Sequence, residues 1–161
     1  MDLFDRSLLQ AIGKKLLQKG KTIAVAESVS SGLMQAAFSM MEDASDFFQG
    51  GYTVYNIGQK YKHLNVEPIH ALSVNCVSQK VANEMAIAVS RSFCSDWGIS
   101  ITGYASPVPE SGGKLFAYYA ISHNGHIKAK GKIPGVKDKP FNVQVHYTST
   151  VLKKLSRLIQ R

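Results

Sequence analysis

The chain has 161 residues, 45% of them hydrophobic and 19% charged, with a net charge of +8. That much apolar content can bury a core and excludes a disordered chain, and no uncharged run approaches the ~20 apolar residues that span a bilayer. The first residues, "MDLFDRSLLQ", carry acids where a secretory leader is basic, so the expectation is a cytoplasmic protein with anionic partners and no membrane contact.

Residues 3–19 read as a helix, with Leu8, Leu9, Ile12, Leu16 and Leu17 on one stripe and Gly20 as its stop. "TIAVA" (22–26) is a short β-branched run, predicted as a buried strand. Residues 30–41 return to helix formers, and "GYTVYNI" (Gly51 to Ile57) is read as the next strand. A longer helix is predicted from Val77 to Phe93, capped by Asn75 or Ser73. Cys76 and Cys94 flank that stretch and read as the two ends of one helix, too far apart within it to pair, and are expected as buried free thiols.

"GISITGY" (98–104) is a further strand. Asn124-Gly125 between "KLFAYYAISH" and "HIKAKGKI" is a strong hairpin signal. The last helix starts near Pro140 and runs to the end of the chain. Strands alternating with helices, then a hairpin, predict a three-layer α/β sandwich with a mixed sheet, parallel strands plus an antiparallel hairpin, as a single domain over 1–161. The long irregular loop is Tyr104 to Lys114. Lys128, Lys130 and Lys132 alternate along one strand, which places all three on one face. A solvated strand face accounts for them. A nucleic-acid surface is disfavoured, because no aromatic residues are interleaved with them.

Ligands of open α/β sheets gather at the C-terminal strand ends. There the sequence offers "ESVSSG" (27–32), the segment after Val54, and Thr102 to Pro107. A serine nucleophile needs a base. His63, His70, His123, His126 and His146 are scattered away from strand ends and lack metal-ligand spacing, so neither a Ser-His-Asp triad nor a catalytic metal is indicated. Lysine is the remaining base, since burial lowers its pKa. Ser28, Tyr55 and Lys60 can converge from adjacent strand ends. The same spacing also suits a capping serine, a sheet tyrosine and a surface lysine. A helix starting near Ser30 would offer backbone N–H groups to an oxyanion, and Gly32 would let a ligand approach closely.

"AESVSSG", "GGYTVYNIGQK", "ALSVNCVSQKVANEMAIAVSRSF", "SITGYASP" and "PGVKDK" occur in order over nearly the whole chain. Together they resemble the motifs of the CinA C-terminal domain family, which includes stand-alone nicotinamide mononucleotide deamidases. The resemblance implies Ser28 as nucleophile with Tyr55 and Lys60, and a substrate pocket drawn from Ser30, Ser31, Gly32, Thr102, Gly103 and Lys137. It implies no cofactor and a small-molecule nucleotide substrate, and leaves a homo-oligomer open. The chain departs from the family at Val29, Ser30 and Ser31, at Asn56, Ile57 and Gly58, at Ser106, and at Lys137, where the family carries arginine. Two function classes follow from this: a deamidating amidohydrolase, and a catalytically impaired member that binds a nucleotide or a protein partner.

Overall fold

A computed structural model describes residues 3–160. Met1, Asp2 and Arg161, the ends of the expected 1–161 unit, lie outside the described residues. Helix α1 (Arg6–Lys19) starts where the Asp5 carboxylate accepts the Ser7 and Leu8 amides, and it ends at Gly20. Strand β1 (Ile23–Glu27) follows and is buried along its whole length.

Five strands form one sheet: β1, β2 (Phe48–Thr53), β3 (Trp97–Tyr104), β4 (Phe116–His123) and β5 (His126–Pro134). Their order is β2-β1-β3-β4-β5. β1 runs parallel to both β2 and β3, whereas β4 is antiparallel to β3 and to β5. Successive β1 side chains point to opposite faces. Val25 joins Ile12, Leu16 and Phe38 on one face, where α1, α2 (Leu33–Ser39) and α6 (Pro140–Ile159) pack. Ala24 and Ala26 face Leu64, Val81, Met85 and Val89 of α3 (Ile57–Leu64) and α5 (Gln79–Ser92), with α4 (Pro68–Ser73) beside them. The result is the three-layer α/β sandwich with a mixed sheet that the element order predicts. No helix among the described residues is long and apolar enough to cross a membrane.

Several elements differ from the sequence reading. The strand expected over Gly51 to Ile57 lies earlier, at Phe48–Thr53, because the Asn56 side chain accepts the Gln59 amide and starts α3 at Ile57. The short helices α3 and α4 are not legible in the sequence pattern; Glu67 and Pro68 open the second of them. α2 begins at Leu33 rather than Ser30, since Ser31 and Gly32 have φ of +50° and +94°, outside helical geometry. Ser78, not Asn75 or Ser73, caps α5 by accepting the Val81 amide. The cysteines therefore do not share a helix: Cys76 lies in the turn before α5 and Cys94 just after it. Both are free, Cys76 half-buried and Cys94 exposed. A bulge opposite Ser122 leaves Lys128 without a cross-strand partner, yet Lys128, Lys130 and Lys132 all stay exposed in alternation with Ile127, Ala129 and Gly131; Lys130 and Lys132 stand across from Ala120 and Tyr118.

Candidate active site

Ser28 is the first residue beyond β1, the strand flanked by parallel neighbours on both sides. Its amide donates to the Ile101 carbonyl of β3 at 3.1 Å, while the Val54 amide donates to the Glu27 carbonyl at 2.8 Å. These two bonds anchor Ser28 where the C-terminal ends of β2, β1 and β3 meet.

The turn after it is held by Glu27. This carboxylate is completely buried. It accepts the Ser30 hydroxyl at 2.5 Å and the amides of Gly32, Met34 and Gln35 at 3.1, 3.0 and 2.7 Å. The free N–H groups of the α2 N-terminus are thereby satisfied by a charged acceptor, the strong class of such bonds. Ser31 donates its amide to the Ser28 carbonyl at 3.2 Å. Among the described residues, the Val29 and Ser30 amides donate to no protein acceptor. Sequence reasoning missed this role of Glu27. The available signal was a carboxylate closing a run that is otherwise wholly apolar.

Lys60 stands on the first turn of α3, at the far side of the β2 end. Its side chain is 1% exposed. The ammonium donates to Ser28 Oγ at 3.0 Å and to the Val54 carbonyl at 3.0 Å. Among the described residues no carboxylate pairs with it. Burial pulls its pKa below the usual lysine value of 10.5, and the nearby Cys76 thiol only partly opposes that. The Cys76 thiol is in turn pushed up by burial, with Lys60 acting the other way.

Ser28, Tyr55, Lys60, Cys76, Thr102 and Gly103 share the wall of one cavity of about 530 Å³. This is the size of a small-molecule site. Tyr55 sits at the mouth, 73% exposed, and reaches neither Ser28 nor Lys60 by a hydrogen bond. The Thr102 hydroxyl donates to the Cys76 carbonyl at 2.8 Å and ties β3 to the turn before α5. At Gly103 a Cβ would collide with the Phe116 carbonyl and Ala117; only glycine lets β4 approach so closely here. Asn75 donates to the Tyr104 hydroxyl at 3.2 Å across the same cavity.

The structure thus brings Ser28, Tyr55, Lys60, Thr102 and Gly103 together. It does not bring Ser30, Ser31, Gly32 or Lys137 to this cavity: the first three form the Glu27-held turn behind it, and Lys137 lines a separate groove. Among the described residues no group of three or more His, Cys, Asp or Glu side chains is placed to hold a metal ion.

Comparison with known proteins identifies the fold and its relatives. The chain is 33% identical over 129 residues to a CinA-like protein of Rippkaea orientalis, covering 80% of this chain and 30% of that protein. It is 37% identical over 116 residues to a CinA-like protein of Picosynechococcus sp., covering 72% of this chain and 28% of that one. The chain therefore spans under a third of the length of these relatives. The crystal structure of the CinA superfamily protein KP700603 from Klebsiella pneumoniae superposes with a TM-score of 0.90 at 20% identity, over 99% of both chains. The competence damage-inducible protein A from Klebsiella pneumoniae subsp. pneumoniae superposes at 0.91 with 21% identity, over 97% of both chains. The family model for the CinA C-terminal domain matches residues 5–159, and the chain belongs to that family.

Proposed function

We propose that the protein is an amidohydrolase that converts a nicotinamide nucleotide, nicotinamide mononucleotide in the first instance, to the nicotinate nucleotide and ammonia. The observation that carries this reading is the 3.0 Å contact between Lys60 Nζ and Ser28 Oγ at the wall of the cavity. A buried lysine with no carboxylate partner is readily deprotonated. As a neutral amine it accepts the Ser28 proton directly, and Tyr55 is not needed as a relay.

Ser28 Oγ attacks the carboxamide carbon, and the proton passes to Lys60. The backbone N–H of Val29, which lines the cavity, is the donor left for the oxyanion, because Ser30 lies in the turn behind the cavity and the amides further along are committed to Ser28 and Glu27. The Lys60 ammonium then protonates the leaving nitrogen. Ammonia departs and a Ser28 ester remains. Water loses its proton to Lys60 and attacks that ester; Lys60 returns the proton to the departing Ser28 Oγ, and the nicotinate nucleotide is freed. Thr102 and Gly103, beside Ser28 at the end of the neighbouring strand, form part of the cavity wall, and Tyr55 at the mouth offers its ring to the pyridine. The chemistry needs no cofactor.

The test is ammonia release from nicotinamide mononucleotide by the wild type, Ser28→Ala and Lys60→Ala. Ser28→Ala should abolish turnover, and loss of the base should reduce it by about 10²–10⁴-fold. If the wild type releases no ammonia yet binds the nucleotide, the protein is a binding member of the family instead.

A further inference from the structure

We infer that the sheet face around Phe116, Tyr118, Lys130 and Lys132 is a binding surface for single-stranded nucleic acid, read through base faces and phosphates and indifferent to the sugar. The inference is independent of the deamidase reading.

Along β5 the lysines alternate with small residues, and no ring lies among them. Sheet pairing changes this. β4 sets Tyr118 directly across from Lys132 and Phe116 across from Pro134, while β3 sets Tyr104 across from Phe116. The three rings form a ladder. Tyr104 and Phe116 meet edge to face with centroids 5.4 Å apart, and Phe116 and Tyr118 at 5.9 Å. All three are half-buried, so part of each ring remains open to solvent.

The Lys132 ammonium lies over the Phe116 ring at 4.0 Å from the centroid and 5.6 Å from that of Tyr118. A cation held there occupies the electron-rich ring face that a base would stack on. Its flexible four-carbon stem can swing to a phosphate when a base takes its place. Lys130 and Lys132 are exposed, and neither enters an ion pair among the described residues.

Next to the ladder runs a groove of about 660 Å³, lined by Lys114, Phe116, Lys132 and Lys137 and by no carboxylate. β5 is an edge strand. Lysines on such a strand discourage edge-to-edge pairing, which accounts for Lys128, Lys130 and Lys132 but not for the rings or for Lys114 and Lys137. Aromatic platforms flanked by ammonium groups are the usual equipment for sequence-tolerant single-strand binding. The net charge of +8 adds long-range attraction of the right sign.

The experiment measures fluorescence anisotropy of labelled short oligothymidylate and oligouridylate with the full chain. Both should bind, with affinities within about threefold of each other. The plot of log affinity against log salt should have a slope of about −3 if the four lysines each meet a phosphate. Lys130→Glu with Lys132→Glu should weaken binding tenfold or more. Phe116→Leu, which keeps apolar volume but removes the ring face, should weaken it about fivefold or more with the salt slope unchanged. Circular dichroism and melting of each variant separate these effects from misfolding. Tyr118→Leu serves as the second ring variant if Phe116→Leu does not fold. No saturable binding, tighter binding of duplex DNA, or displacement by polyphosphate together with indifference to the ring variants would each overturn the inference.

Discussion

Lys60 Nζ lies 3.0 Å from both Ser28 Oγ and the Val54 carbonyl, on a side chain almost wholly removed from water. The contact joins the end of β1 to the first turn of α3. Burial holds the amine below the usual lysine pKa of 10.5. If Lys60 is the base of the proposed reaction, ammonia release should rise with pH along a curve whose midpoint lies below the ordinary lysine range, since it would act as the neutral amine. A pH profile of kcat/KM with nicotinamide mononucleotide checks this. A midpoint at the ordinary lysine value would remove Lys60 as the base.

The same pKa has a consequence for stability. Lys60 is depressed in the folded state, so the unfolded chain binds more protons between that lowered value and 10.5. Unfolding free energy therefore rises with pH across this window through Lys60. Lys60→Met should lack that rise. Urea midpoints of wild type and variant across the alkaline range should converge as pH increases.

Glu27 satisfies three backbone amides and one hydroxyl from complete burial. Removing it leaves those donors without their acceptor, two of them in buried contacts. Glu27→Ala should destabilise the fold by about 3 kcal/mol or more, read as a lower urea midpoint with unchanged slope. Ser30→Ala, which removes a single donor, should cost about 1 kcal/mol.

Gly103→Ala places a methyl group against the Phe116 carbonyl and Ala117. The strands must part to admit it, at about 1–3 kcal/mol. On the proposed mechanism ammonia release should fall along with stability, because the end of β3 supplies the cavity wall beside Ser28. A crystal structure of the variant should show β4 displaced at Phe116.

The two thiols should react unequally. Cys94 is exposed, whereas Cys76 is half-buried with its pKa pushed up by burial. Iodoacetamide should alkylate Cys94 first and leave ammonia release intact. Slower alkylation of Cys76 should abolish it, since that thiol lines the cavity with Lys60. Peptide mass mapping against residual activity, repeated in Cys94→Ser, distinguishes the two.

The sequence by itself determined the layer order. The apolar stripe of α1, the β-branched run of β1, the stripe of α5 and the Asn124-Gly125 turn are local patterns, and local patterns report which elements form and which face each buries. The motif likeness singled out Ser28 and Lys60 as well. What only the tertiary structure decided is how residues distant in sequence meet. Nothing in periodicity places Lys60 inside a helix, since α3 has eight residues, too few to display a stripe, and its start depends on the Asn56 cap. Glu27 reads as an ordinary strand-end acid until the chain turns back and offers it four donors. Ser30, Ser31 and Gly32 stand next to Ser28 in sequence, yet the two left-handed residues turn them behind the cavity. The rings beside Lys130 and Lys132 come from a neighbouring strand, and register, which depends on the whole sheet, sets them there.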